Sequence, residues 1–542
     1  MSERNNSGYS PEPMPDPARL PLFNAPAGPK VTWSSNGHHA GGVAIDGVDA
    51  AVRNGHRPAA SPWDVPGLPT QTGDPAALDG GTYHPDRADW QLVRELRLEA
   101  TTRLAEAINA EALDAGARQQ RGRSIIADII KQRVSSDISA GREPWEKTQR
   151  DWLRKALDDA LFKLGRLQPL LDRDDVENII ITGHHTVWLD LIDGSLERAH
   201  AVADSDEELI EFLRWVANRF RPQDNERPFN EAVPKLHLSL AWNDDNGEPM
   251  RARLAATAFV TEYPVVVIRR HRLTRITLED LVGKGMLTPV MANFLRACVR
   301  AGKSIVVSGP QGAGKTTLIR ALCACIDFSE KIGTFETEYE LFLHEMPDRH
   351  SIVVPWEARP GSTEVDAFGR RAGEFTLNEA IDDSFRFTLS RQIVGEVRGK
   401  EIWAMIKAME SGAGSISSTH SKNARQTMDK LVTCAMEAGQ TSDLATRKLA
   451  QTVDLVVQIG LLTQPDGENH WTRSRWVSEV ALVEPGDAGY NLDHVFNAPY
   501  GTTVATPSGT PIKKDVLNEL QAHGFDLAAF QHEMGVRGLQ PS

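Results

Sequence analysis

One octapeptide constrains the fold of this chain more than any other stretch. Gly309-Pro-Gln-Gly-Ala-Gly-Lys-Thr316 lies between a short apolar run, Ser304–Val307, and an amphipathic run, Lys315–Ile326. It fits the spacing GxxxxGK[ST] at every fixed position. Its glycines let the backbone curl until several N–H groups face one point, and an anion fits there. The helix that opens at Lys315 adds the partial positive charge of its N-terminus. The chemistry implied is a nucleotide phosphate site. Gly309, Pro310, Gln311, Gly312, Ala313, Gly314, Lys315, Thr316 and Thr317 are its candidate contacts. Lys315 is expected to reach the β- and γ-phosphates of ATP, and Thr316 to supply a hydroxyl to Mg²⁺.

The surrounding sequence predicts the matching architecture. Strands are expected at Ser304–Val307, Lys331–Phe335, Ser351–Val354, Gln392–Val394 and Ser415–Ser417. Helices are expected at Lys315–Ile326, Leu377–Phe387, Lys400–Glu410 and Ala424–Glu437. Alternation of this kind builds a mostly parallel sheet between helical layers. Late strands are expected at Leu455–Leu462 and Trp476–Val483. Residues 276–485 are thus read as an α/β P-loop domain, and 486–542 as a C-terminal extension.

At 542 residues the chain needs more than one core. Residues 1–80 hold 12 of the 31 prolines and 10 of the 42 glycines, so a disordered tail is expected over 1–85. A helical region follows over 86–168, where Trp152, Leu153, Ala156, Leu157, Ala160, Leu161 and Leu164 share one face. Asn178–Thr182, Val187–Leu191 and Pro264–Ile268 read as strands around a helix at Glu207–Phe220, giving an α+β domain over 169–275. The net charge of −14 argues against a surface built to coat nucleic acid. No stretch approaches the ~18–20 apolar residues that span a bilayer. Met1–Ser10 is polar, so no secretory leader is expected. The cysteines, Cys298, Cys323, Cys325 and Cys434, form no CxxC pair and suggest neither a disulfide framework nor a zinc site. A cytoplasmic location is expected.

Three further segments carry candidate chemistry. Arg391-Gln-Ile-Val-Gly-Glu-Val-Arg398 is an apolar strand followed by an acid, Glu396, at the sheet edge where P-loop proteins present a carboxylate to metal or water. Thr334-Phe-Glu-Thr-Glu-Tyr-Glu340 spaces Glu336, Glu338 and Glu340 by two, which on an extended strand puts three carboxylates on one face. They would repel one another unless a metal–nucleotide site or an arginine faced them. Gly414–His420 is a strand of small residues ending in a histidine that could bond a γ-phosphate.

Taken in order, these motifs resemble those of the secretion ATPase superfamily, the motors of type II and type IV secretion and of type IV pili. The resemblance covers about 90–535. Val394-Gly-Glu-Val-Arg-Gly399 is similar to the CpaF-like branch of tight-adherence (Flp/Tad) pili, as are Leu170–Gly183, Val266–Arg270 and Ser508–Phe530. The resemblance implies a RecA-like P-loop domain behind an α+β (PAS-like) domain and an N-terminal helical region. It implies Lys315 and Thr316 as phosphate and Mg²⁺ ligands, Glu336 as the Asp-box acid, Glu396 as the Walker B acid and further metal ligand, and His420 as the His-box residue. Arg227 and Arg269 best match the arginines that approach the nucleotide from the preceding domain, with Arg253 a weaker match. The resemblance further implies a homohexamer, peripheral to the inner face of the cytoplasmic membrane, working with a membrane platform protein and needing no direct nucleic acid. The chain departs from the family at Glu336-Thr337, at Leu389-Ser-Arg391 and at His237-Leu-Ser-Leu240, and the absence of the paired-cysteine zinc module of some pilus-extension and type II ATPases points away from that branch. The rival readings are a nucleic-acid translocase of the same P-loop class and a nucleotide-locked scaffold with little turnover.

Deleting residues 1–80 is expected to leave the melting temperature and basal ATPase rate nearly unchanged, since a Pro/Gly-rich tail buries little area. A large fall in melting temperature on calorimetry would place the tail on the folded body instead.

Overall fold

A computed structural model describes residues 89–110, 115–219, 228–244, 249–271, 275–359, 361, 371–412, 414–467, 471–487 and 489–537. The tail expected over 1–85 lies outside the described residues. So does Arg227.

The chain divides into two compact units at Arg166. The first contains helices Trp90–Ala110, Ala115–Ser139 and Lys147–Phe162. Their core is a ladder at helical spacing: Val93, Leu96 and Ala100 meet Ile126, Ile129 and Ile130, and Leu153, Ala156, Leu157 and Ala160 close the third side. The helical region expected over 86–168 thus holds these three helices in its described residues.

The second unit contains two sheets. The first has six antiparallel strands in the order β3-β2-β1-β6-β5-β4. They are β1 (Val176–Thr182), β2 (Thr186–Leu191), β3 (Leu196–Ala199), β4 (Lys235–Asn243), β5 (Pro249–Thr257) and β6 (Val265–Arg270). β4 shows why such a sheet forms: Leu236, Leu238 and Leu240 are buried while their neighbours face out. Strict alternation is the mark of an antiparallel strand with one wet face. The helix Asp206–Arg219 buries Leu209, Phe212, Leu213 and Val216.

The second sheet has nine strands in the order β15-β14-β13-β12-β7-β11-β10-β8-β9. They are β7 (Ile305–Ser308), β8 (Lys331–Glu336), β9 (Ile352–Glu357), β10 (Arg391–Val394), β11 (Ser415–Thr419), β12 (Leu455–Pro465), β13 (Trp471–Gly486), β14 (Gly489–Asn497) and β15 (Thr506–Pro507). β7 to β12 run parallel, and β13 to β15 add antiparallel pairs at one side. β7, β10 and β11 are buried at every residue, as strands covered on both faces must be. One face packs on helices Pro289–Arg300 and Lys315–Cys323 through Phe294, Leu295, Leu318 and Leu322. The other packs on helices Leu377–Ser384, Ile402–Glu410, Ala424–Glu437 and Ser442–Thr452 through Ile381, Met405, Met428 and Leu449. The result is a three-layer, RecA-like sandwich.

Two expectations are corrected. β8 ends at Glu336, so Glu338 and Glu340 lie in the following loop and the three carboxylates do not share a strand face. The chain turns there because the Glu336 carboxylate bends back and accepts the backbone N–H groups of Glu340 (2.8 Å) and Leu341 (2.9 Å). The helix expected to reach Phe387 stops at Ser384, and Phe385 and Phe387 are exposed.

The segment beyond 485 joins this core. β14 pairs with β13, and Phe496 packs edge to face on Phe294 and Phe530, which both also meet Phe525, at ring distances near 5.5 Å. Phe496→Ala is expected to cost about 3–5 kcal/mol of unfolding free energy in urea titration. A loss below about 1 kcal/mol would mean that this aromatic cluster does not hold the end of the chain.

Candidate functional site

Parallel strands deliver their C-terminal ends to one edge of a sheet, and this edge gathers the candidate chemistry. The glycine loop follows β7, Glu336 closes β8, Glu396 stands two residues past β10, and His420 follows β11. Gln311, Gly312, Gly314, Lys315, Thr316, Glu336, Glu396 and His420 line one cavity with Arg253 of β5 and Arg269 of β6. Gly309, Pro310, Ala313 and Thr317 do not line it; the carbonyls of Gly309 and Pro310 instead receive Lys315 Nζ at 3.2 and 3.1 Å.

The loop geometry follows from its residues. Gly314 has φ +91°, in the left-handed region, and the next residue begins the helix. The bend carrying Glu396 is pinned from both neighbouring strands. Gly395 N–H donates to the Phe335 carbonyl at 2.9 Å, and Val397 N–H donates to the Ser418 carbonyl at 2.7 Å. A side chain at Gly395 would meet Glu336 Cγ at 3.1 Å, so glycine lets the two acids approach. His420 is held from behind, its carbonyl accepting from Lys430 Nζ at 2.9 Å.

The charges form a chain. Lys315 Nζ lies 3.0 Å from His420 Nδ1, and His420 Nε2 lies 2.8 Å from Glu396 Oε1. An ammonium can only donate, so Nδ1 accepts. The proton of a neutral ring then sits on Nε2, the nitrogen nearer Glu396. Arg398 Nη2 donates to Glu396 Oε2 at 2.6 Å. Burial works against ionisation of Glu396, but the hydrogen bonds from His420 and Arg398 outweigh it and hold its carboxyl down at about 2. Burial lowers Lys315 to about 8, which leaves it mostly charged at neutral pH. Burial also raises the Glu336 carboxyl to about 7, against the pull of its two backbone hydrogen bonds.

Arg253 sits opposite the loop after β8. Its Nε lies 2.5 Å from Glu338 Oε2 and its Nη1 2.7 Å from Glu340 Oε1. The cation facing two of the three acids, Glu338 and Glu340, is therefore an arginine of the preceding sheet. Glu340 Oε2 also accepts from Thr316 Oγ1 at 3.1 Å, so this acid bridges the P-loop and Arg253. The sequence reading ranked Arg253 below Arg227 and gave Arg398 no role. Arg253 could have been found by extending the period-two count from β4 into β5. For Arg398, the strand pattern stops before it, and only the turn at Gly395–Val397 aims it back.

The donor set fits Mg²⁺. Among the described residues, no group of three or more His, Cys, Asp or Glu is placed to cage a metal. Mg²⁺ needs no such cage, since it takes one or two protein oxygens with phosphate and water. Thr316 Oγ1 and the Glu396 carboxylate offer such oxygens at the cavity wall. Glu336 Oε1 is buried without a hydrogen-bond partner, an acceptor that water or a hydrated cation would satisfy.

A glycine loop between a buried parallel strand and a helix, facing acids at the ends of neighbouring strands, defines a P-loop nucleotide site on a RecA-like sheet. The family pattern described as Type II/IV secretion system protein matches residues 196–482, and the chain belongs to that family. A putative conjugal transfer protein of Mycobacterium tuberculosis is 26% identical over 349 residues, 64% of this chain and 92% of its own length. The type IV secretion system protein VirB11 of Brucella suis is 27% identical over 357 residues, 61% of this chain and 92% of its own. Among solved structures, the ATPase DotB of Legionella pneumophila aligns with 57% of this chain and 78% of its own at 19% identity, with a TM-score of 0.41. No described helix is long and apolar enough to cross a membrane.

The shift of Glu336 has a measurable consequence. Its folded pKa, about 7, lies above the ordinary carboxylate value of 4.5 taken for the unfolded chain. The stability it contributes is therefore complete below about pH 4.5 and is lost as pH rises through about 7. Glu336→Gln cannot ionise, so the melting temperature of the variant relative to wild type should climb between about pH 4.5 and 7 and level off above that. The gain at the upper end should approach about 3 kcal/mol. Parallel pH profiles for the two proteins would refute a raised Glu336.

Proposed function

We propose that the protein hydrolyses ATP and uses the cycle to drive assembly of a pilus or export through a type II/IV secretion machine. The observation that supports this is the meeting of Lys315, Thr316, Glu336, Glu396 and His420 with two arginines of the preceding sheet in one cavity. Lys315 trades its loop carbonyls and His420 for the β- and γ-phosphates. Thr316 and Glu396 would hold Mg²⁺, which would offset phosphate charge there. Glu396 remains ionised at neutral pH, with a carboxyl too acidic to be a strong base. It therefore acts by orienting the attacking water and by holding metal. His420 Nδ1, released by Lys315, can bond the γ-phosphate or the water. Arg269 and Arg253 supply charge where the transition state spreads it. Arg227 is proposed for the same role.

The proposed assembly is a homohexamer in which the closed cavity repeats around a ring, since cyclic symmetry leaves no exposed end. Its proposed place is the cytoplasmic side of the inner membrane, against a platform protein, and its closest machine the tight-adherence pilus. The relative named as a conjugal transfer protein favours a second reading, in which the machine exports DNA. Stimulation of ATP hydrolysis by added DNA would select that reading.

Lys315→Ala should lose nucleotide affinity. Glu396→Gln should keep ATP bound while slowing phosphate release by about a hundredfold or more. Arg269→Ala should lower kcat more than it weakens binding. Wild-type turnover in Glu396→Gln would remove that residue from the chemistry. A strict monomer by light scattering with a non-hydrolysable ATP analogue, at full activity, would exclude the ring.

A further inference from the structure

The β12–β13 hairpin carries two arginines that the nucleotide site does not use. Arg473 and Arg475 stand two residues apart on β13 and so point to one side. Both reach Glu177 of β1, 296 and 298 residues away in sequence. Their other contacts differ. Arg473 donates to Glu177 Oε2 (3.1 Å), to the Leu191 carbonyl (3.4 Å) and to Asp190 Oδ1 (2.8 Å), all on the six-stranded sheet. Arg475 holds Glu177 through Nη2, at 2.7 Å from Oε2 and 3.0 Å from Oε1, while its Nε donates to the Gly312 carbonyl at 2.8 Å. One guanidinium therefore bonds both the P-loop and the opposite sheet.

We propose that Arg475 is a positioning residue that couples the conformation of the P-loop to the seating of the six-stranded sheet above it. The inference rests on the nucleotide reading of the cavity and deepens it. Three observations support it. Gly312 is the middle glycine of the loop, so a bond to its carbonyl orients a peptide that has no side chain to fix it. Glu177 immediately precedes Asn178, whose register partner across β1 and β6 is Arg269. Pulling Glu177 toward Gly312 thus sets how deep Arg269 sits in the cavity. All these side chains are mostly buried, Arg475 at 22% and Glu177 at 16% exposure, so water does not substitute freely for the contacts. The planar fork of arginine is what permits the double engagement; an ammonium has no such geometry. The coupling runs both ways: a loop reshaped by phosphate moves Arg475, and a sheet that swings away releases the Gly312 carbonyl.

The test compares two charge deletions on the same sheet. Glu177→Gln removes the anchor of Arg475 and one contact of Arg473, whereas Asp190→Asn alters the other acid of Arg473 and the acceptor of Asn178 Nδ2 without touching Arg475. Neither residue touches the P-loop. Affinity for a fluorescent ADP is measured on the full chain, with melting temperature alongside. Glu177→Gln should weaken ADP binding about tenfold. Asp190→Asn should leave it within about twofold, although both lose an ion pair and both melt earlier. Arg475→Gln should match Glu177→Gln, the double variant should be no worse than either, and Arg475→Lys should not restore affinity. Equal effects of Glu177→Gln and Asp190→Asn on affinity would reduce the contact to simple docking and overturn the proposal, as would no effect of either. Failure of the wild-type protein to bind ADP would overturn the nucleotide reading and the coupling with it. A wild type that binds ADP but hydrolyses no ATP would overturn only the motor reading, and the affinity comparison would still decide the coupling.

Discussion

The burial of the Lys315 ammonium is the interaction on which the rest of the site depends. Its residue is 8% exposed, and a cation so withdrawn from water must be met by acceptors or lose its charge. Two loop carbonyls and His420 Nδ1 meet it. Meeting the ammonium makes Nδ1 of His420 an acceptor and leaves Nε2, the nitrogen nearer Glu396, for the proton of a neutral ring. His420 and Arg398 together hold Glu396 ionised. A single buried charge thus sets the order of donors and acceptors along the chain. Phosphate would be a better partner for the ammonium than carbonyl dipoles, so the chain is poised to rearrange when one arrives.

The second tier of charges belongs to the meeting of the two sheets. The arginines of β5, and one beyond β6, face the acids after β8. Arg251 pairs with Glu345, Arg253 with Glu338 and Glu340, and Arg275, beyond β6, pairs with Asp348. Individually, such partly exposed pairs contribute little. Arranged in series beside a nucleotide cavity they act differently, because a polyanion entering the cavity competes for the same arginines. Glu340 marks the point of competition, since it bonds both Thr316 and Arg253. The turn after β8 brings Glu338 and Glu340 back toward the cavity that Glu336 also lines.

Much of this was legible in the residues. The glycine loop, its strand and its helix are local features, and local spacing specifies them. Glu396 and His420 were legible because parallel strands end at a common edge, so an acid or histidine just past an apolar run has one place to go. The boundaries were less legible. β8 was expected to carry its acids along an extended face, yet a buried carboxylate with no cation of its own takes backbone N–H groups instead and turns the chain. β4, β5 and the strands past Gly489 were passed over, although β4 alternates cleanly, because hydrophobic residues in hairpins give a weaker periodic signal than a long helix.

What the sequence by itself determined is the kind of site: the order of strands, loop and helix around Gly309–Thr316 admits a phosphate site on a parallel sheet and little else. What only the tertiary structure decided is which charges face it. Arg475 carries no local signal that separates it from the other basic residues of the chain, and the patterns that hold Arg253 and Arg398 do not name the acids these two meet. Their roles arise from contacts across 87 residues for Arg253 with Glu340 and 298 for Arg475 with Glu177. Pattern reads neighbours along the chain, and electrostatics acts between neighbours in space. The fold alone converts one into the other.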